Sequence, residues 1–107
     1  MNKYERLISE LDEKGSGEMK VFGNSMQPIL ESGVKLTFVK QEKYEVGDIV
    51  FSKVKGRYID AHKITKIELK QGYMIANNKG WENGWTHTIY GKAIKADYGN
   101  NCSKTLD

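Results

Sequence analysis

The sequence lacks several features that would place a protein in a class at once. Its 107 residues include one cysteine and one proline, and no apolar run approaches the ~18–20 residues that a membrane-spanning helix needs. The single Cys102 cannot form a disulfide within the chain, so nothing indicates an oxidising compartment. The N-terminal residues contain no apolar core typical of a signal peptide. These absences predict a cytoplasmic protein with no membrane span.

The sequence also lacks a strong excess of either positive or negative charge. The 17 basic and 14 acidic residues give a net charge of +3, and the lysines are dispersed along the chain. Such dispersion favours a solvated surface over a nucleic-acid patch, so no nucleic-acid partner is expected. The two histidines, His62 and His87, are far apart in sequence and have no paired carboxylates beside them. The sequence therefore predicts no metal site, and nothing in it indicates a cofactor.

The N-terminal region contains one helical pattern. Tyr4, Leu7, Ile8 and Leu11 follow the i, i+3, i+4, i+7 spacing of a helix face, and the glycines of residues 14–17 end the pattern. We expect a helix within residues 1–15 that packs against the rest of the protein, because one isolated helix of about three turns is marginal in water.

Short strands separated by glycine-containing turns follow from Glu18 onward. Val34, Leu36 and Phe38 alternate on one face of a predicted strand, and a Lys-Gly pair at 55–56 fits a tight hairpin. In the long strand after this hairpin, the isoleucines at 64 and 67 break the alternation, which predicts a bulge. The segment "NKGWENGW" is interpreted as a loop before the last strand.

This pattern predicts the fold class and the domain organisation. We expect a mainly β protein with strongly bent antiparallel sheets or a partly open barrel and one N-terminal helix. The helix occupies residues 1–15, the β domain residues 18–97 and a polar tail residues 98–107.

One serine lies in an unusual turn sequence, "GNSMQPILESG". Gly23 permits unusual backbone dihedrals, and Pro28 fixes a turn and disfavours helix at the residue before it. Such a corner can present the Ser25 hydroxyl beside backbone N–H groups, although serine in such a turn is ordinarily structural. A serine nucleophile needs a base. His62, in the long predicted strand, is the preferred candidate, whereas His87 follows a polar loop and is expected at the surface.

Three motifs in order resemble a known peptidase superfamily. "GNSMQPILESG", "VGDIVFSKV" and "YIDAHKITKI" are similar to the core shared by signal peptidases, LexA-type repressors and UmuD-like proteins, over about residues 20–96. The C-terminal part is closest to compact single-domain bacterial and prophage members. The resemblance implies that Ser25 is the nucleophile and His62 the general base. It also implies that Gly23, Asn24, Met26 and Pro28 form the nucleophile turn, in which the N–H of Ser25 or Met26 binds an oxyanion.

The resemblance leaves the residue that orients the base unassigned. The acidic residue of the corresponding family motif is replaced by Trp81 if Gly80 is aligned with the glycine of that motif. The sequence offers four candidates for the orienting role, namely Asp60, Asn77, Asn78 and Glu82. Lysine serves as the base in part of the superfamily, and here Lys63 and Lys66 are the alternatives to His62.

The expected activity is that of a serine endopeptidase whose Ser-His dyad cleaves a peptide bond through an acyl-enzyme. The expected partner is an extended peptide or protein substrate bound beside the nucleophile as an added strand, and a homodimer is one open assembly. The alternative is a catalytically inactive regulatory or protein-binding module on the same fold. Asn-Gly at 83–84 is a turn signal, and the flanking Trp81 and Trp85 fit either the edge of a small core or the wall of a peptide cleft.

Overall fold

One helix and eight strands make up the part of the chain that the computed structural model describes, residues 1–23, 26–27, 29–99 and 102–106. In chain order they are α1 (Lys3–Lys14), β1 (Ser16–Lys20), β2 (Lys35–Val39), β3 (Ile49–Val54), β4 (Arg57–Glu68), β5 (Gly72–Ala76), β6 (Glu82–Thr86), β7 (Ile89–Gly99) and β8 (Cys102–Thr105). The mainly β fold with one N-terminal helix confirms the predicted class. No helix in these ranges is long and apolar enough to cross a bilayer.

Helix α1 begins and ends as its sequence predicts. The Asn2 side chain accepts the N–H of Glu5 at 2.9 Å in a capping box, and Gly15 closes the helix with a φ of +77°. Leu7 and Leu11 are buried against the sheet. A Cβ at Gly17 would lie 2.7 Å from Leu7 Cδ1, so this glycine permits the close approach of α1 to β1.

The strands form one antiparallel sheet in the order β1-β2-β7-β3-β4-β5-β6, and β8 pairs with β7. The sheet bends until the end of β6 reaches β3. There the Thr86 hydroxyl donates to the Lys53 carbonyl at 2.6 Å, and the Lys53 N–H donates to the Thr88 carbonyl at 3.1 Å. The ladder does not close into a barrel within the described residues, which confirms a strongly bent sheet.

The bend separates two hydrophobic clusters. The larger lies between α1, the sheet and the segment 21–34, and its buried members include Leu7, Leu11, Met26, Leu36, Phe38 and Phe51. The smaller lies inside the bend and consists of Tyr44, Val50, Val54, Ile64 and Ile75. Strand β4 passes between them, with Ala61 in the first cluster and Ile64 in the second.

Several local predictions can be compared directly with the strands. The register of β4 against β5 shifts between Ile64 and Lys66, which confirms the bulge, and Lys55 and Gly56 form the hairpin turn with φ of 52° and 80°. The predicted loop "NKGWENGW" was wrong in its second half, because Glu82–Thr86 is strand β6. Its polar and glycine residues do not show strand periodicity, and pairing with β5 determines their conformation. Part of the polar tail forms β8.

Candidate active site

The half-buried His62 lies in β4, opposite Val50 of β3. The turn at Gly47 and Asp48 holds this strand just beyond the histidine. The Gly47 N–H donates to the Ile64 carbonyl at 2.8 Å, and the Ile64 N–H donates to the Asp48 carbonyl at 2.9 Å. The turn thereby fixes the position of the strand that carries the predicted base.

The Asp48 side chain stabilises that turn. It is buried, accepts the N–H of Glu45 at 2.9 Å through Oδ2 and contacts Lys92 Nζ at 3.3 Å through Oδ1. The Gly-Asp pair that the sequence matches to the superfamily therefore has a structural explanation. Its backbone secures β4, and its carboxylate connects the turn to β7.

The imidazole of His62 is hydrogen-bonded to Asn83. Nδ1 lies 2.6 Å from Asn83 Oδ1, and since an amide oxygen only accepts, Nδ1 carries the proton. In the neutral ring Nε2 is then unprotonated and can accept a proton, as a general base must.

A β-bulge aims Asn83 at the histidine. Ile75 pairs with Gly84 and Ala76 pairs with Glu82, so Asn83 is the extra residue between two paired positions. Gly84 adopts a φ of +133°, a conformation that favours glycine. Asn83 was not among the residues predicted from the sequence, although the Asn-Gly pair at 83–84 is a sequence signal of irregular backbone.

Two of the four predicted orienting residues have other partners. Asp60 Oδ2 lies 3.7 Å from Lys3 Nζ, and its carboxylate accepts the Tyr4 hydroxyl. The pKa of Tyr4 is raised to about 12, mainly by burial and to a smaller extent by this hydrogen bond and the charge of Asp60. Glu82 Oε2 lies 3.4 Å from Lys66 Nζ. These contacts direct Asp60 toward α1 and Glu82 toward the outer part of β4.

The other two, Asn77 and Asn78, organise the loop between β5 and β6. Asn77 Oδ1 accepts the N–H groups of Lys79 and Trp81, both at 2.9 Å. Asn78 Nδ2 donates to the Gln27 carbonyl at 3.0 Å, across 51 positions of sequence. The loop is thereby connected to the segment that contains the predicted nucleophile.

The nucleophile turn itself is only partly described. Asn24, Ser25 and Pro28 lie outside the described residues, so their predicted roles stay predictions. Next to them, Gly23 has a φ of +109°, and its N–H donates to Ser32 Oγ at 3.0 Å. The Met26 side chain is 4% exposed and belongs to the larger core cluster. Gly23 is therefore held by a hydrogen bond and Met26 by burial.

A cleft of about 230 Å³ lies between this segment and β4. Its lining is formed by Val21, Phe22, Gly23, Met26, Leu30, Glu31, Tyr58, Ile59, Asp60, Ala61 and His62. It therefore brings His62 together with residues that precede and follow Ser25 in the sequence. The cleft has the size and the mostly apolar lining of a site for a few side chains of an extended ligand.

The alternative bases and the tryptophans have different surroundings. Lys66 is exposed and ion-paired with Glu82, while Lys63 is half-buried and pairs with Ile49 and Ala76. His87 is exposed, as predicted, with Nε2 3.0 Å from the Lys70 carbonyl. Trp81 is 75% exposed, whereas Trp85 is half-buried. In the described ranges, no three His, Cys, Asp or Glu residues are close enough together to hold a metal ion.

Comparison with protein families identifies the fold. The profile described as Peptidase S24-like matches residues 2–93. The chain belongs to the Peptidase S24-like family. The match confirms the resemblance to the LexA and signal peptidase superfamily and covers the Ser25 turn, His62 and Asn83. No curated protein matches the chain closely enough to count as a relative. Membership in the Peptidase S24-like family supports a serine-peptidase type of fold, for which peptides and proteins are the fitting substrates.

Proposed function

We propose that this protein is a serine endopeptidase in which Ser25 is the nucleophile and His62 the general base. The hydrogen bond from His62 Nδ1 to Asn83 Oδ1 carries the proposal, because it leaves Nε2 as the proton acceptor. Asn83 acts as the orienting residue, in the role that asparagine has in Cys-His-Asn peptidases.

The position of Ser25 in the sequence supports its role. Gly23 and Met26, which precede and follow Ser25 in the sequence, line the same cleft as His62. The bond between Asn78 and the Gln27 carbonyl further connects this turn to the loop that precedes Asn83.

The proposed reaction follows from these roles. Ser25 Oγ attacks the peptide carbonyl while His62 Nε2 takes its proton, and the N–H of Ser25 or Met26 stabilises the oxyanion. The imidazolium then donates that proton to the leaving amine, which departs as the acyl-enzyme forms. Water attacks the ester, with His62 again as base, and regenerates the Ser25 hydroxyl. Asn83 keeps Nδ1 protonated throughout but, being neutral, stabilises the imidazolium less than a carboxylate would.

The substrate is proposed to bind as an added strand along β4. Among the described strands, residues 57–62 pair with β3 only, whereas β5 begins to pair with β4 at Lys63. The unpaired side faces the cleft between β4 and the segment 21–31. An extended peptide can pair with this edge and place a carbonyl beside His62.

A serine-reactive phosphonate probe tests the proposal. We expect labelling of the wild type, loss of labelling in Ser25→Ala and at least about a 100-fold slower reaction in His62→Ala, the usual size of general-base assistance. His87→Ala is the matched control, because His87 is exposed and lies outside the cleft. It should label like the wild type.

The outcome also decides between the enzyme and the alternative function. A folded wild type that the probe does not label would contradict the peptidase proposal and favour an inactive protein-binding module. Binding of extended peptides without their cleavage would identify that module directly. A cytoplasmic location and a homodimer stay predictions, testable by fractionation and by sedimentation.

A further inference from the structure

The side chain of Lys3 lies where three elements meet beside the cleft. Its Nζ donates to the Lys20 carbonyl at 3.2 Å, lies 3.7 Å from Asp60 Oδ2 and is 5.1 Å from the centre of the Phe22 ring. A carbonyl, a carboxylate and an aromatic face are three groups that a cation favours. The protein therefore contains a built ammonium-binding position, and its own N-terminal helix occupies it.

This position adjoins the proposed substrate cleft. Asp60 and Phe22, which contact the ammonium, both line the cleft, on β4 and on the facing segment respectively. Asp60 precedes His62 by two residues, about 7 Å along an extended strand. Its carboxylate is also held by the Tyr4 hydroxyl. A substrate side chain entering this end of the cleft would meet a carboxylate that α1 has already paired.

The charges of the cleft lining show how the Lys3–Asp60 ion pair affects the choice of substrate side chain. Among the described residues, the carboxylates that line the cleft belong to Asp60 and Glu31, and the lining includes no lysine or arginine. Without Lys3, this end of the cleft would attract a basic side chain. With Lys3 in place, a second ammonium at Asp60 would be repelled by the first and would have to displace it.

We propose that Lys3 is a specificity-determining residue. It occupies the ammonium position at Asp60 and Phe22, so the cleft accepts a neutral apolar side chain there and discriminates against lysine or arginine. This inference rests on the proposed function in that it requires the cleft to bind an extended peptide. It does not require that the peptide be cleaved.

Peptide selectivity measures this role. Binding is measured by fluorescence anisotropy in the Ser25→Ala background, which keeps peptides intact. The probes are labelled, extended peptides rich in alanine and leucine, in which lysine or norleucine is placed at each position in turn. Norleucine has the aliphatic stem of lysine without its charge. The ratio of the two dissociation constants at each position therefore measures the effect of the ammonium group on binding.

We expect the Ser25→Ala protein with Lys3 unchanged to bind norleucine more tightly than lysine at the peptide position nearest Asp60. Lys3→Met should shift the ratio toward lysine by about two- to fivefold, the size expected for gaining one partly exposed ion pair. Lys40→Met is the matched control, because Lys40 also connects α1 to the sheet region through a carboxylate, Asp12 at 2.7 Å, but lies away from the cleft. It should leave the ratio unchanged.

A second substitution makes the test specific to the carboxylate. Adding Asp60→Asn to Lys3→Met should abolish the gained preference for lysine.

Lys3→Gln repeats the measurement with a polar side chain, and circular dichroism verifies that each variant is folded. An unchanged ratio in both folded Lys3 variants overturns the inference.

The peptidase proposal and this inference fail in different ways. If the wild type binds peptides with the expected selectivity but never cleaves them, the peptidase proposal alone fails. If peptides are cleaved but Lys3→Met leaves selectivity unchanged, the inference alone fails. If no peptide binds to any variant, both are overturned.

Discussion

His62 Nδ1 and Asn83 Oδ1 lie 2.6 Å apart and join two strands that are not neighbours in the sheet. Strand β5, which separates β4 from β6, ends at Ala76. Ala76 pairs with Lys63 on one side and with Glu82 on the other. His62 lies just past the end of β5, and the bulge turns Asn83 into the same space. This hydrogen bond exists because β5 is short and its neighbour β6 is bulged at Asn83.

The first prediction concerns Asn83. Asn83→Ala should lower kcat for a peptide or an ester by about 10- to 100-fold, because the His62 tautomer is no longer fixed. Asn83→Asp should restore activity and move the acid limb of the pH profile upward, since a carboxylate raises the pKa of a neighbouring imidazole. A merely structural Asn83 would change stability in both variants and shift the pH profile in neither.

The second prediction concerns the connection between Asn78 and the nucleophile turn. Asn78→Ala removes the donor to the Gln27 carbonyl, so we expect kcat to fall several-fold with little loss of stability, because the bond is exposed. Gln71→Ala is the matched control, since its exposed side chain donates to Glu68 at 3.0 Å near the β4–β5 turn. Equal kcat values in the two variants would argue against a role for this bond in positioning Ser25.

The third prediction concerns the ion pair that holds the turn before β3. The Lys92 and Asp48 side chains are only 22% and 10% exposed, and Lys92→Met leaves the carboxylate without its cation. We expect a loss of about 2–3 kcal/mol in unfolding free energy, somewhat less than for a fully buried pair. Lys40→Met, in a pair whose side chains are 52% and 60% exposed, should cost less. Urea unfolding measures both, and equal losses would contradict the structural role of Asp48.

The fourth prediction concerns alkaline stability. The pKa of Tyr4 is raised from 10.0 to about 12 by burial and by Asp60. Between these values the unfolded chain releases the Tyr4 proton while the folded protein keeps it, so this contribution to stability, complete below about pH 10, is lost as the pH rises toward 12.

Tyr4→Phe removes the proton concerned. The unfolding free energy of this variant should therefore fall less steeply over that alkaline range than that of the wild type, whatever its value at neutral pH. The neighbouring charges that remain, Asp60 and Lys3, are common to both proteins. Parallel curves from urea unfolding across this range would show that Tyr4 titrates normally in the folded state.

Local patterns in the sequence were sufficient for much of the fold. The spacing of Tyr4, Leu7 and Leu11 predicted α1, and the alternation of Leu36 and Phe38 predicted the buried face of β2. These features depend on residues close in the chain, where periodicity of 3.6 or 2 directly determines which side chains share a face. The motifs around Ser25, Gly47 and His62 likewise indicated the family that the profile match confirms.

The contacts of the site depended on the tertiary structure. Asp60 is close to His62 in the sequence and was one of the four predicted orienting residues, whereas Asn83 is 21 positions away and was not among them. The structure pairs Asp60 with Lys3 of the helix and brings Asn83 to the imidazole. A carboxylate two positions away on a strand is close in sequence, but its partner is determined by which element packs beside it.

The sequence by itself determined the helix, the strands up to β5 with their turns, and the order of the motifs around Ser25, Gly47 and His62 that indicated the family. The tertiary structure alone decided that an asparagine in a bulge is hydrogen-bonded to His62 and that Lys3 lies beside Asp60 and Phe22 of the cleft. The physical reason is that these contacts join residues from separate elements. Their distances depend on the length of β5, on the register shifts of β4 and β6, and on the close approach of α1 at Gly17.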